Sequence, residues 1–185
     1  EGARKEIGTE IRKRHFQKAF LITDHDLIRC GIAEKIEAVL EENGTPWETD
    51  AEVKPNPTIE NVLYGLEQYE KSGCDFIIAV GGGSVIDTAK AVAVIANNPE
   101  NRDVVSLEGM DKSRYPAVPI IAVPTTAGTG SETTMDYVIT NTAEKRKMAC
   151  MDSKVVPAAA ILDTVIMASL PLSLTAATAM DGLTH

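Results

Sequence analysis

Residues 76–91 read FIIAVGGGSVIDTAKA, and this stretch decides the fold. Its first five residues form a continuous apolar run, which is typical of a strand buried on both faces of a sheet. Three glycines follow, and then a helical pattern runs from about Ser84 to Ala96. A buried strand that leads directly into a helix is the unit from which α/β proteins with parallel sheets are built.

The same alternation of strand and helix continues along the chain. Strands are predicted at 18–23, 47–53, 119–123 and 158–163, helices at 3–14, 31–43 and 56–73, and an antiparallel pair at 134–140 and 145–151. This pattern predicts an α/β fold: a Rossmann-like, mostly parallel sheet with helices on both faces. Residues 1–165 would form this domain, and 166–185 would begin an all-helical one. Because the chain stops at His185 within a helical pattern, we expect it to be part of a longer protein.

The charge balance and the cysteines limit the class of protein. Lys and Arg number 18 against 27 Asp and Glu, for a net charge of −9, which argues against nucleic acid or an anionic membrane as partner. No apolar run reaches the roughly 18 residues of a membrane span. The three cysteines show no CxxC pattern, so we expect the reduced thiols of a cytoplasmic protein.

The glycines at 81–83 lie where a ligand would approach, because ligands of such sheets bind at the carboxyl ends of the strands. Without a Cβ the backbone can come close to a ligand, and the start of the following helix favours a phosphate. We therefore predict a diphosphate site here. The pattern is not GxGxxG, and the alternative is a tight turn before a helix that Ser84 and Asp87 cap in a box-like arrangement.

A second polar loop follows the strand at 119–123. Its sequence, VPTTAGTGSE (123–132), combines hydroxyl groups with glycines that permit close approach. Such a loop could hold the other phosphate or the sugars of a dinucleotide, or it could be only a loop.

Asp24 follows the strand at 18–23. An acidic residue at a strand end can accept hydrogen bonds from ribose hydroxyls and would repel a 2′-phosphate. The alternative is that Asp24 caps the helix that follows it.

Asp181 and His185 are four residues apart and share a helix face. A carboxylate and an imidazole together suit Fe(II) or Zn(II), although the same spacing is common on ordinary helix surfaces. A catalytic metal also needs at least three protein ligands, so the remaining ligands would lie beyond residue 185.

Five motifs together resemble one known family. They are ITD (22–24), VKPNPT (53–58), GGGSVIDTAK (81–90), VPTTAGTGSE (123–132) and LTAATAMDGLTH (174–185). In order and separation they are similar to the N-terminal half of iron-containing, group III alcohol dehydrogenases, and above all to the branch with lactaldehyde reductase and 1,3-propanediol dehydrogenase. Ala179 departs from the motif, which usually has glycine there.

The resemblance implies residues that bind NAD. They are Asp24, Asn56, Gly81, Gly82, Gly83, Ser84, Asp87, Thr125, Thr126, Thr129, Ser131, Val138, Lys147 and Leu174. Asp24 matches the position associated with preference for NAD over NADP. Asp181 and His185 match the first two of four metal ligands, with Fe(II) as the metal and Zn(II) as the alternative.

The resemblance also implies the reaction, a hydride transfer between nicotinamide and a small alcohol or diol of the lactaldehyde and propanediol type. The metal held by Asp181 and His185 would lower the pKa of the alcohol, and the active site would lie between the α/β and helical domains. Expected partners are this substrate and further copies of the chain, as a homodimer or larger oligomer, with no nucleic acid or membrane.

Other functions remain open at this point. A relative of glycerol dehydrogenase or dehydroquinate synthase would share the glycine loop but would typically use zinc. The chain could also be a nucleotide-binding fragment that is inactive on its own, since it holds two of four expected ligands. A flavodoxin-like signalling domain is less consistent with the sequence, because it needs no combination of GGGS and TTAGTGSE.

Overall fold

The computed structural model describes residues 1–168 and 170–184. Its helices and strands are α1 (Glu6–Arg14), β1 (Ala19–Ile22), α2 (His25–Arg29), α3 (Ile32–Glu42), β2 (Trp47–Asp50), α4 (Ile59–Ser72), β3 (Phe76–Gly81), α5 (Gly83–Asn97), β4 (Gly109–Met110), β5 (Ile120–Pro124), β6 (Asp136–Asn141), β7 (Arg146–Met151), β8 (Ala159–Ala160), α6 (Thr164–Met167) and α7 (Leu172–Thr184). Short 3₁₀ helices lie at Ala3–Lys5, Pro99–Asn101, Val104–Leu107 and Ser153–Val155.

Parallel strands form the central sheet. In the described part of the chain their order is β2-β1-β3-β5-β8, and each neighbouring pair is parallel. β1, β3 and β5 occupy the middle, with Ile22 opposite Ala79 and Gly81 opposite Pro124. The predicted α/β fold is therefore confirmed, and the loops after β1, β3 and β5 lie side by side.

Both faces of this sheet are covered by helices, as predicted. Phe20 and Ile22 belong to a buried cluster with residues of α4 and α5. The intervening Leu21 belongs to a second cluster with residues of α1 and α3. Successive side chains of a strand point to opposite faces, so the unbroken apolar pattern of β1 serves two cores.

The hairpin of β6 and β7 forms a second sheet beside α5. Its antiparallel pairing was expected, but the short strand β4, which joins β7 in parallel, was not. Tyr137 and Ile139 of β6 lie in the same buried cluster as α5. Since α5 is enclosed by the central sheet and this hairpin, its sequence is apolar on nearly every side.

Some boundaries differ from the expectations. The strand predicted at 158–163 is reduced to β8, and α2 is the short helix that the capping alternative for Asp24 required. The division into domains at 165 and 166 stays a prediction, although α7 does begin at Leu172. Within residues 1–168 and 170–184, no helix is long and apolar enough to cross a membrane.

Candidate cofactor-binding site

The start of α5 lies at the centre of the candidate site. Gly82 precedes the helix with extended backbone, and within the described residues no side chain caps it. The capping box that the alternative gave to Ser84 and Asp87 is not formed, because Ser84 lies inside the helix and the Asp87 carboxylate bonds elsewhere. The first N–H groups of α5 are thus left without a side-chain cap, which favours an anion there.

Gly81 and Gly82 at this turn are required for different structural reasons. A Cβ placed on Gly81 would lie 2.4 Å from Cγ2 of Val85, so this position must stay small for α5 to pack on its strand. A Cβ on Gly82 would lie 3.2 Å from Cγ2 of Thr126 and would narrow the space between the two loops. Packing accounts for Gly81, and its contact with a cofactor stays a prediction.

Two cavities in the described part of the chain meet at this turn, and both are lined by Gly83, Ser84 and Thr129. The hairpin cavity has a volume of about 680 Å³, and its predicted cofactor residues also include Asn56, Asp87, Ser131, Val138 and Lys147. The α2 cavity has a volume of about 750 Å³. The predicted cofactor residues that line only this cavity are Asp24, Gly82, Thr125, Thr126 and Leu174. The tertiary structure thus brings together all predicted cofactor residues except Gly81, in spaces of the size that small ligands occupy.

Thr126 is the cavity residue whose hydroxyl group lacks a partner in the described part of the chain. The residue is only 8% exposed, and its Oγ1 has no hydrogen-bond partner among the described residues. Buried hydroxyl groups are rarely left unsatisfied in native proteins. Because this hydroxyl lines the α2 cavity beside the glycine turn, a ligand with polar oxygens, such as the diphosphate of a dinucleotide, would satisfy it.

Asp87 links α5 to the loop and the hairpin that line the hairpin cavity. Its carboxylate accepts hydrogen bonds from Ser131 Oγ at 2.7 Å and from the Val138 N–H at 3.0 Å. Burial raises the pKa of Asp87, and these two hydrogen bonds oppose the rise. With both oxygens engaged by the protein, Asp87 holds the cavity wall in place.

Lys90, one turn later on α5, was missed by the sequence reasoning. It is 0% exposed, and burial lowers the pKa of its ammonium group to about 8. A lysine inside the apolar run TAKAVAV (88–94) was the signal that could have revealed it, because lysine is almost never fully buried without a specific role.

Asp24 caps α2 and also lines the α2 cavity. Its Oδ1 accepts a hydrogen bond from the Leu27 N–H at 2.9 Å, so the capping alternative is correct. The cap uses only one of the two carboxylate oxygens, so it is compatible with a ribose contact. That contact stays a prediction. The neighbouring His25 is turned to Glu52, with Nε2 and Oε1 2.9 Å apart.

The proposed metal ligands fall at the end of the described chain. Asp181 is exposed on α7, and His185 lies outside the described residues. Within residues 1–168 and 170–184 no group of three His, Cys, Asp or Glu side chains could hold a metal ion. The described residues therefore do not form a metal site by themselves.

Comparison with known proteins identifies the family. The model of the family described as iron-containing alcohol dehydrogenase matches residues 1–164. The chain therefore belongs to the iron-containing alcohol dehydrogenases, as its motifs predicted.

Particular relatives narrow the comparison. Lactaldehyde reductase of Escherichia coli K12 is 45% identical over 184 residues, which cover 100% of this chain and 48% of that protein. The crystal structure of a 1,3-propanediol oxidoreductase matches with a TM-score of 0.94 and 37% identity, over 100% of this chain and 48% of that one. Sulfoacetaldehyde reductase from Bifidobacterium kashiwanohense in complex with NAD⁺ matches with a TM-score of 0.89 and 30% identity, over 98% and 47%. The chain spans about half the length of the curated relatives it matches.

Proposed function

We propose that this chain supplies the NAD-binding part of an iron-dependent alcohol dehydrogenase that acts on a small alcohol or diol. One observation carries the proposal. Two cavities meet at the uncapped start of α5, and together they are lined by nearly every residue that the family motifs assign to the cofactor. Family membership and a relative whose structure contains NAD⁺ support the same assignment.

In this proposal the chain orients the cofactor rather than reacting itself. The N–H groups at Gly83 and Ser84 and the Thr126 hydroxyl bind the diphosphate, while Asp24 accepts hydrogen bonds from a ribose. Lys147 and Val138 contact the part of the cofactor in the hairpin cavity. When bound, the nicotinamide supplies the chemistry of hydride transfer. The protein contributes a fixed orientation, which lowers the entropic part of the barrier.

We propose iron as the metal on the strength of the family, with Asp181 and His185 as two of its ligands. The described residues hold no complete set of ligands, so the other ligands would come from outside them. The division into a cofactor domain at 1–165 and a helical metal-binding domain from 166 belongs to the same proposal.

The substrate, the assembly and the location complete the proposal. A relative that reduces lactaldehyde and another named for 1,3-propanediol support a small diol or its aldehyde as substrate. We propose a homodimer or larger homo-oligomer, as the family resemblance implies. A cytoplasmic location is consistent with three cysteines that are all free thiols.

The proposal is tested on the full-length natural protein that carries this sequence. NADH binding is followed by fluorescence, NAD reduction is assayed with 1,2-propanediol, 1,3-propanediol and glycerol, and metal content is measured. We expect the protein to bind NADH, to reduce NAD when a propanediol is supplied, and to contain iron. Absence of NADH binding contradicts the proposal, whereas bound zinc with preference for glycerol favours the glycerol dehydrogenase alternative. The 185-residue chain alone serves as a matched sample, and turnover by it would contradict the need for further ligands.

A further inference from the structure

Lys90 uses all its donors on one short segment of the chain. Its Nζ donates to the Asp136 carbonyl at 2.7 Å, to the Thr134 carbonyl at 2.8 Å and to the Thr134 hydroxyl at 3.4 Å. An ammonium group has three N–H bonds, so its hydrogen-bonding capacity is filled by these acceptors.

Burying this cation is costly, and no ion pair offsets the cost directly. Transfer of an ammonium group from water into protein costs several kcal/mol, and Lys90 forms no salt bridge within 4.0 Å among the described residues. The carboxylates that face it at longer range are Asp87 on α5 and Asp136 and Glu132 on the hairpin side. A hydrophobic residue would fill this position at lower cost, so the contacts of the ammonium group need their own explanation.

Those contacts hold the segment 131–138, which forms one wall of the hairpin cavity. Five of its residues line that cavity: Ser131, Thr134, Asp136, Tyr137 and Val138. The ladder of β6 begins only at Asp136, so the first half of the segment lies outside regular sheet pairing. Asp87 bonds the two ends of the segment, and Lys90 bonds its middle.

We infer that Lys90 is a positioning residue for cofactor binding: its buried ammonium group holds the 131–138 wall in the shape that accepts the cofactor. This inference rests on the proposed function, because it needs the hairpin cavity to bind part of NAD. It explains why a cation is kept where an apolar side chain would suffice for packing. Charge-assisted hydrogen bonds to carbonyls give the wall one defined position, and a preformed site binds without an ordering cost.

The first experiment compares Lys90→Met with Lys71→Met in the full-length natural protein. Methionine keeps an unbranched side chain of similar length and removes the charge and all donors. Lys71 is an exposed residue of α4 paired with Glu67, and it lines neither cavity. For Lys90→Met we expect NADH to bind at least about tenfold more weakly, which corresponds to a wall that is correctly placed in one molecule in ten. We also expect faster amide exchange in residues 131–138. Lys71→Met is expected to match the wild type.

To distinguish a positioning role of Lys90 from a merely structural one, NADH binding is measured at a temperature where circular dichroism shows each variant to be folded. A folded Lys90→Met protein that binds NADH within threefold of the wild type overturns the inference. Lys90→Arg keeps the charge and the donors, and we expect it to recover part of the lost affinity. Failure of the arginine variant to bind NADH better than the methionine variant also counts against the inference.

The second experiment needs no substitution and decides the matter if Lys90→Met does not fold. The pKa of the Lys90 ammonium group is measured by ¹⁵N NMR of the unmodified protein, with and without NADH. If the charged form favours binding tenfold, binding must favour the charged form equally, and the pKa is then about one pH unit higher with NADH bound. An equal pKa in both states overturns the inference. Absence of NADH binding by the unmodified protein would instead contradict the proposed function.

Discussion

Gly128 lies directly against the backbone of α7. A Cβ at this position would be 1.8 Å from the carbonyl oxygen of Thr178, and the backbone of Gly128 adopts a φ of +137°. On the other side of the contact, a Cβ on Gly182 would lie 3.1 Å from the Gly128 Cα. Glycine at 128 therefore lets α7, with Leu174 and Thr178, close one side of the α2 cavity.

We predict that Gly128→Ala displaces α7 and weakens NADH binding. The unfolding free energy should fall by about 1–3 kcal/mol, because the backbone conformation is strained for any L-residue and the side chain collides with α7. Chemical denaturation and NADH titration measure the two effects. Gly130→Ala is the control, since Gly130 has a φ of +63° but no atom closer than 3.9 Å to its Cβ position. Equal NADH affinity in the two variants would contradict the role of Gly128.

Thr126→Val should separate binding from stability. Replacing a buried, unpartnered hydroxyl by a methyl group of similar shape is expected to leave the unfolding free energy unchanged or slightly higher. NADH affinity should fall about tenfold if the hydroxyl bonds the cofactor, which equals about 1.4 kcal/mol. Thr23→Val is the matched control, because Thr23 Oγ1 is also buried and unpartnered among the described residues but lines neither cavity. An NADH affinity unchanged in Thr126→Val would exclude this contact.

Asp24→Asn should relax the choice between NAD and NADP. Asparagine caps a helix as well as aspartate does, so α2 should persist while the charge that repels a 2′-phosphate is removed. We expect kcat/KM for NADP relative to NAD to rise about tenfold, because like charges in contact cost several kcal/mol. Asp24→Gly, which removes the cap as well, should give the same change in ratio with slightly lower stability. A constant ratio in both variants refutes the ribose role.

Asp163→Asn should lower stability in a pH-dependent way. Burial would raise the pKa of Asp163, but bonds from the side chain and N–H of Arg4 and from the Val165 and Gly2 amides lower it to about 2. Because this pKa is below its ordinary value of 3.8, the stabilisation is present above about pH 4 and is lost as the pH falls toward 2.

Denaturation curves from pH 7 to pH 2 measure this effect. At pH 7 the substitution should cost about 2 kcal/mol, the range found for hydrogen bonds to charged groups, and the difference from wild type should shrink below pH 4. Glu67→Gln, which removes an exposed ion pair with Lys71, should cost at most about 0.5 kcal/mol. A difference for Asp163→Asn that is constant with pH would contradict the assignment.

Asp181→Ala should abolish metal retention in the full-length natural protein. Loss of one ligand is expected to reduce bound iron at least tenfold, since changes even to the groups that support ligands cost 10–100-fold in affinity. Ser173→Ala, another exposed position on α7, is the control. Iron content is measured by atomic emission after dialysis, and an unchanged content in Asp181→Ala would refute the ligand assignment.

Much of the fold and part of the site follow from local sequence patterns. The apolar runs at 76–80 and 119–123 identify buried strands because only strands covered on both faces lack polar alternation. The turn from Gly81 to Gly83 and the polar loop from Thr125 to Ser131 follow from the same logic, since ligands meet such sheets at the strand ends.

Other features could not be predicted from the sequence, because most of them depend on contacts with residues far away along the chain. The reason for glycine at 128 lies on a helix about 50 residues further along the chain. The apparent capping box of Ser84 and Asp87 failed because Asp87 is drawn to Ser131 and Val138 instead. Short strands such as β4 carry too few residues for a periodic pattern.

The sequence by itself determined the α/β class and the family, and it predicted the residues of the cofactor site, because apolar patterns and motifs can be read along the chain without knowledge of its tertiary contacts. Only the tertiary structure decided what each residue does there. It assigned Gly81 to packing, Asp24 to a helix cap, and Lys90 to the wall of the hairpin cavity. Such roles depend on hydrogen bonds and contacts between segments far apart in sequence, and these exist only once the chain has folded.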